Sequence, residues 1–118
     1  MIGIDIIEIA RIEEAVKKDG FVKKVFTASE SEYCQKSGSG AQTYAGMFAA
    51  KEAVAKALKT GFNNIKQTDI EILHGSLGAP YVKFHGQAAE VFKLTGKQNI
   101  EISISHCKDY ATAVCLIS

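Results

Sequence analysis

Two carboxylates far apart in the chain have the character to act together. Asp5 stands among Ile2, Ile4, Ile6 and Ile7 in an otherwise oily N-terminal segment. Burying such a group costs on the order of several kcal/mol unless it is paired or liganded. An Asp on the exposed side of a strand is merely solvated. Here Ile7 shares the Asp5 face in a regular strand, so that face is not simply polar. The second acid is Glu52, in the run Phe48–Gly61, which reads as the C-terminal part of a helix. Phe48 and Ala55 lie one turn either side of Glu52, on a face that should partly bury. Lys56 at i+4 and Lys59 at i+7 extend the same stripe. Taken alone, Glu52 and Lys56 are a surface pair worth about a few tenths of a kcal/mol. Taken with Asp5, Glu52 gives a site for a hard cation with lysines set to meet phosphate oxygens. Mg²⁺ accepts one or two carboxylates and completes its shell with water and substrate phosphates. The absence of histidine or thiolate partners favours Mg²⁺ over Zn²⁺.

Ser103, Ser105 and His106 form a third group, at the end of a strand entering a turn. Serine hydroxyls and a turn histidine can contact phosphate. A Ser-His-Asp hydrolase competes, but Ser105 lies in no nucleophile elbow. Neighbours in a strand also point to opposite faces. His74 and His85 read as surface residues. Cys34, Cys107 and Cys115 lack CxxC spacing, so they read as reduced, mostly structural thiols of a cytosolic protein.

The elements that must position these residues follow from periodicity. Ile2, Ile4 and Ile6 alternate as a β-strand that runs into a helix over about Glu8 to Lys18. Ile9, Ile12, Ala15 and Val16 are its apolar stripe, and Asp19-Gly20 closes it. Phe21 to Phe26 is a short lysine-bearing element. Thr27 to Glu30 has the form of a capping box, opening a helix to about Gln35. Ser37 to Gly40 is a flexible break. Ala41 to Lys59 is the longest helix, with Gly61 placed to supply a left-handed cap. Thr68 to Leu73 and Pro80 to Phe84 are antiparallel strands around a turn at Gly75 to Gly78. Gly86 to Leu94 is a short helix with Ala89, Val91, Phe92 and Leu94 as apolar positions. Ile100, Ile102 and Ile104 begin a closing hairpin that turns at His106 to Asp109 and ends with Tyr110 to Ile117. Helices and antiparallel strands intermix, which is the α+β class.

Composition bounds the rest. The chain of 118 residues suits one domain with one core. Its formal charge of +1, with Arg11 the only arginine, argues against a strongly electrostatic nucleic-acid binder. No run approaches the roughly 20 apolar residues of a membrane span, so no membrane partner is expected. Asp5 and Glu8 interrupt the apolar start and no basic stretch precedes it, unlike a signal peptide.

Asp5, the Glu52 helix and the serine-histidine hairpin, in this order, resemble the bacterial holo-acyl-carrier-protein synthases, the small phosphopantetheinyl transferases. The matching segments are Gly3–Ile12, Phe26–Glu30, Ala45–Ala53 with Lys56–Gly61, Asp69–Ile72, Gly78–Pro80 and Ser103–His106. They span nearly the whole chain, and the combination is far more specific than any one piece. The resemblance implies the 4′-phosphopantetheinyl transferase fold, with antiparallel strands packed against helices around one long central helix. It also implies a single domain over residues 1–118. The implied reaction moves the 4′-phosphopantetheine arm of coenzyme A to a serine of apo-acyl carrier protein, in cytoplasmic fatty acid biosynthesis. By the same resemblance Asp5 and Glu52 hold Mg²⁺, and Asp5, Glu52 and Lys56 are the catalytic set. An acidic group takes the serine proton, directly or through a bound water, with Glu52 favoured. Lys56, Lys59, Gly61, Pro80, Ser105 and His106 are implied coenzyme A contacts. Arg11, Lys17, Lys18 and Lys24, with Lys23, are implied contacts for an acidic carrier protein. A homotrimer with sites between subunits is implied too, so that Ser105 and His106 serve a neighbour's site. The chain departs from the family where Met47 replaces a common Arg, Lys59 a common Gly and Ala79 a common basic residue. A binding module without catalysis would have lost one of the acids; both are present. A structural oligomer with a solvated Asp5 is the remaining alternative.

Overall fold

The computed structural model describes residues 1–118. Strand β1 (Ile2–Glu8) passes without a loop into helix α1 (Ile9–Ala15). This helix is shorter than the periodicity predicts. It ends at Ala15, and a turn over residues 16–19 leads to Gly20, whose φ of 83° opens α2 (Phe21–Val25). The lysine-bearing element is therefore a helix. The α3 helix (Ala28–Lys36) carries both halves of the expected capping box. Thr27 Oγ1 accepts from the Glu30 amide, and Glu30 accepts from the Thr27 amide at 2.8 Å.

The long helix is α4 (Gly40–Ala57). A 3₁₀ turn at Gln67–Asp69 precedes β2 (Ile70–His74), so only the second half of the predicted strand is extended. β2 and β3 (Pro80–Phe84) form a two-stranded antiparallel sheet. Helix α5 (Gly86–Leu94) has its predicted span, but Leu94 is 85% exposed and Ala88 is the buried residue. β4 (Ile100–His106) and β5 (Tyr110–Ile117) make the closing hairpin.

β1 also pairs with β5, giving an antiparallel sheet in the order β1-β5-β4. Its two faces differ in size of side chain. Gly3, Ala111, Ala113 and Cys115 face the interior and are buried. These small residues let α4 lie close on the sheet. A Cβ on Gly3 would overlap the Ala53 carbonyl, so only glycine permits this approach. The bulky face looks outward: Ile2, Ile4 and Ile6 are each about two-thirds exposed, beside Val114 and Leu116.

Candidate active site

Asp5 pairs in register with Ala113 and so points to the interior face, toward α4. Its side chain is 16% exposed. Lys56 Nζ donates to Asp5 Oδ1 at 3.1 Å and to the Ile4 carbonyl at 3.0 Å. Glu52, one turn before Lys56, is half-buried. Burial raises its carboxyl pKa, the nearby Asp5 charge raises it further, and Lys56 opposes both. The structure therefore brings Asp5, Glu52 and Lys56 together where α4 crosses β1. Two half-buried carboxylates, one disfavouring the other's charge and only one bonded to Lys56, are hard oxygen donors. As such donors, these residues fit Mg²⁺ chemistry.

The other predicted contacts fall elsewhere. Lys59 lies beyond the helix, so it does not continue the Glu52–Lys56 stripe. Its φ is 64°, making it the left-handed residue that ends α4, with Gly61 (φ 57°) two residues on. The Lys59 amide bonds to Lys56 O and the Thr60 amide to Ala55 O, a Schellman arrangement. A glycine at position 59, which the resemblance leads one to expect, would have a backbone reason here, and Gly61 is the second rather than the first left-handed residue. Pro80 opens β3, and His106 ends β4 on the interior side. Both line a cavity of about 260 Å³ with Gly46, Met47, Gln42 and Gly78. Ser105 pairs with Thr112 and faces outward, away from His106. The strand alternation thereby removes any Ser105–His106 couple. β5 separates β4 from β1, so these residues and Asp5 sit about 10 Å apart across two strand spacings.

Met47 is 1% exposed and packs its sulfur 3.6 Å from Cys34 Sγ, so at this departure the side chain belongs to the core. Ala79 is exposed. Arg11 on α1, Lys17 and Lys18 in the following turn, and Lys23 and Lys24 on α2 are all exposed. Lys17 also pairs with Glu14 at 3.2 Å. Cys34 and Cys115 are buried and Cys107 is exposed.

Behind α4 lies a buried polar cluster that the motifs above do not include. Lys51 is 1% exposed, and its Nζ lies 2.8 Å from Glu30 Oε1. It also donates to Gln67 O at 2.9 Å and to Ile70 O at 2.6 Å. Glu30 Oε2 accepts from the Ile72 amide at 2.7 Å. The signal was the spacing of Met47, Lys51, Val54 and Leu58, which puts Lys51 on a buried stripe. The two histidines expected at the surface are partly exposed, and each has a partner. His85 Nε2 lies 2.9 Å from Glu71 Oε1, and His74 stacks on Tyr33 at 4.0 Å between ring centres. Burial pushes the Glu71 pKa up, but the bonds from Thr27 and His85 outweigh it and leave it lowered.

The model of the 4′-phosphopantetheinyl transferase superfamily matches residues 1–115. The chain belongs to this superfamily and is a transferase. Its relatives are more particular. A holo-[acyl-carrier-protein] synthase of Fusobacterium nucleatum is 49% identical over 118 residues, covering 98% of this chain and 96% of that protein. One from Ruminiclostridium cellulolyticum is 48% identical over 122 residues, covering 100% and 91%. The crystal structure of the Helicobacter pylori holo-[acyl-carrier-protein] synthase in complex with coenzyme A is similar at a TM-score of 0.88. It has 36% identity and full coverage of both chains. The Neisseria meningitidis synthase gives a TM-score of 0.90 at 30% identity, covering 99% of this chain and 96% of that one. The expected family and α+β fold both stand.

Proposed function

We propose that this chain transfers the 4′-phosphopantetheine arm of coenzyme A to a serine of apo-acyl carrier protein. The observation that carries this reading is the grouping of Asp5, Glu52 and Lys56 on the α4–β1 contact of a synthase-like fold. The serine oxygen forms a bond to the phosphorus of the arm. The bond from that phosphorus to the bridging oxygen breaks, and adenosine 3′,5′-bisphosphate leaves. Asp5 and Glu52 are the residues that would hold Mg²⁺, which when bound neutralises charge developing on the phosphates. Lys56 Nζ presents a second positive charge at the same place. Glu52 is the candidate to accept the serine proton, directly or through a water, because it is a half-buried carboxylate standing beside Asp5 and Lys56.

Lys59 and Gly61 at the end of α4 extend the coenzyme A surface, and Pro80, Ser105 and His106 supply its far wall from a neighbouring subunit. Two features support a homotrimer. One chain alone holds the acids and the Pro80–His106 cavity at opposite edges of its sheet. The outward sheet face is apolar and exposed at Ile2, Ile4, Ile6, Val114 and Leu116. Arg11, Lys17, Lys18 and Lys24 offer the positive surface for an acidic carrier protein. The buried apolar residues form one cluster, consistent with a single transferase domain over residues 1–118. No helix is long and apolar enough to cross a membrane. The reading places the enzyme in the cytoplasm, at the activation step of fatty acid biosynthesis.

Incubation with coenzyme A, Mg²⁺ and apo-carrier protein is expected to add the mass of the arm to the carrier. Chelation of the metal should stop the reaction. Asp5→Ala and Glu52→Ala should each abolish it while leaving folded protein. No mass gain with several bacterial carrier proteins would sink the reading.

A further inference from the structure

Lys51 is the largest fully buried side chain of the molecule. Its three N–H groups match three acceptors on three other segments: Glu30 on α3, Gln67 in the 3₁₀ turn and Ile70 at the start of β2. Its ammonium also lies 5.7 Å from the centre of the Phe26 ring. Glu30 is held as fully, accepting from Lys51, Thr27 N and Ile72 N. The buried surface of α4 is otherwise largely small and apolar: Ala45, Ala49, Ala50, Ala53, Ala55 and Ala57 are each 1% exposed or less. Apolar contact is non-directional, whereas these hydrogen bonds have fixed geometry. Lys51 precedes Glu52 directly, and consecutive residues stand about 100° apart around a helix. Whatever fixes the direction of Lys51 therefore fixes the direction of Glu52.

We infer that Lys51 is a positioning residue: its bonds to Glu30, Gln67 and Ile70 pin the rotation and height of α4, and so set Glu52 against Asp5. The inference rests on the proposed role of the Asp5–Glu52 pair. It assigns to the ion pair a function beyond stability. Removing Lys51 alone would leave Glu30 buried and uncompensated and would confuse unfolding with misplacement. The test therefore removes both charges, in Lys51→Met with Glu30→Gln. Glutamine at position 30 keeps a capping-box side chain. Ile117→Val and Ile117→Ala thin the core under β5 and give a control series that loses melting temperature through packing alone.

Each variant is assayed at a temperature where circular dichroism shows it fully folded. The pair variant is expected to lose ~10-fold or more in kcat and to need more Mg²⁺ for half-maximal rate, since small misplacements carry costs of this order. Controls of equal melting temperature should keep both values. A pair variant that keeps them as well would overturn the inference. A crystal structure of the pair variant reads the same point without activity. Helix α4 turned or shifted on β1 supports the pin, and α4 in its native setting overturns it. Failure of the unmodified enzyme to transfer the arm would defeat the functional reading only; the setting of α4 would still decide the role of Lys51.

Discussion

At Glu52 the folded chain works against ionisation, through half-burial and through the Asp5 charge. A carboxyl whose pKa is raised on folding binds its proton more tightly in the native state. Its contribution to stability is full at low pH and is lost as pH climbs from the ordinary carboxylate value through the raised one. Glu52→Gln should therefore raise the melting temperature of the metal-free protein at pH 7 while abolishing turnover. The gain should vanish below the ordinary carboxylate range, where Glu52 is protonated in both states. A variant less stable than the parent at pH 7 would show that the strain assigned to this pair is absent. The cysteines differ in the same local way. Burial pushes the Cys34 thiol up to about 12 and the Cys115 thiol up to about 11. Thiolate is the reactive form, so alkylation at pH 8 should label Cys107 alone until the protein is unfolded. Asp5 stood out in the sequence as an acid in apolar company, and Glu52 gained weight only once Asp5 offered it a partner. Lys51 was not, because in a helix of lysines and alanines a buried lysine looks like an exposed one; its partner Glu30 was already explained by the capping box.

The elements themselves were largely legible, since β1, α5 and the β4–β5 hairpin each carry a clean period and α4 is built of strong helix formers. The ends were less so. Helix α1 stops at Ala15 with Val16 as its C-cap packed on the core; Lys17, Lys18 and Asp19 beyond it are all exposed, with no apolar side chain to hold another turn. The end of α4 was misplaced because a lysine stands where a left-handed residue is needed. A non-glycine residue in that conformation costs about 1 kcal/mol or more. Lys59→Gly should raise stability by roughly 0.5–1 kcal/mol in chemical denaturation. If coenzyme A uses the Lys59 charge, KM for coenzyme A should rise in the same variant. Gly3→Ala should act in the opposite sense. Its Cβ meets backbone rather than a yielding side chain, so α4 must lift from β1. A loss of about 2 kcal/mol or more is expected, in the range of overpacked cores. Transfer activity should fall with it, because the same contact seats Glu52 beside Asp5.

For the whole molecule, alternation in β1 showed that the strand has two faces without showing which one the helix covers. The helix takes the small-residue face, and the aliphatic face is left for something else. Val114→Lys, in the middle of that face and opposite Ile4, tests the trimer. Sedimentation should show monomers with native circular dichroism and little activity. An active trimer would place the interface elsewhere. Helix α4 and β1 are both present early in the chain, yet β1 has only one strand partner, and that partner is β5. During synthesis β1 must wait with its backbone edge unpaired until β5 (Tyr110–Ile117) has emerged. Pairing of such distant segments is intrinsically slow. Until β5 arrives the nascent chain thus carries an unpaired aliphatic strand, a natural target for chaperones that bind extended apolar segments.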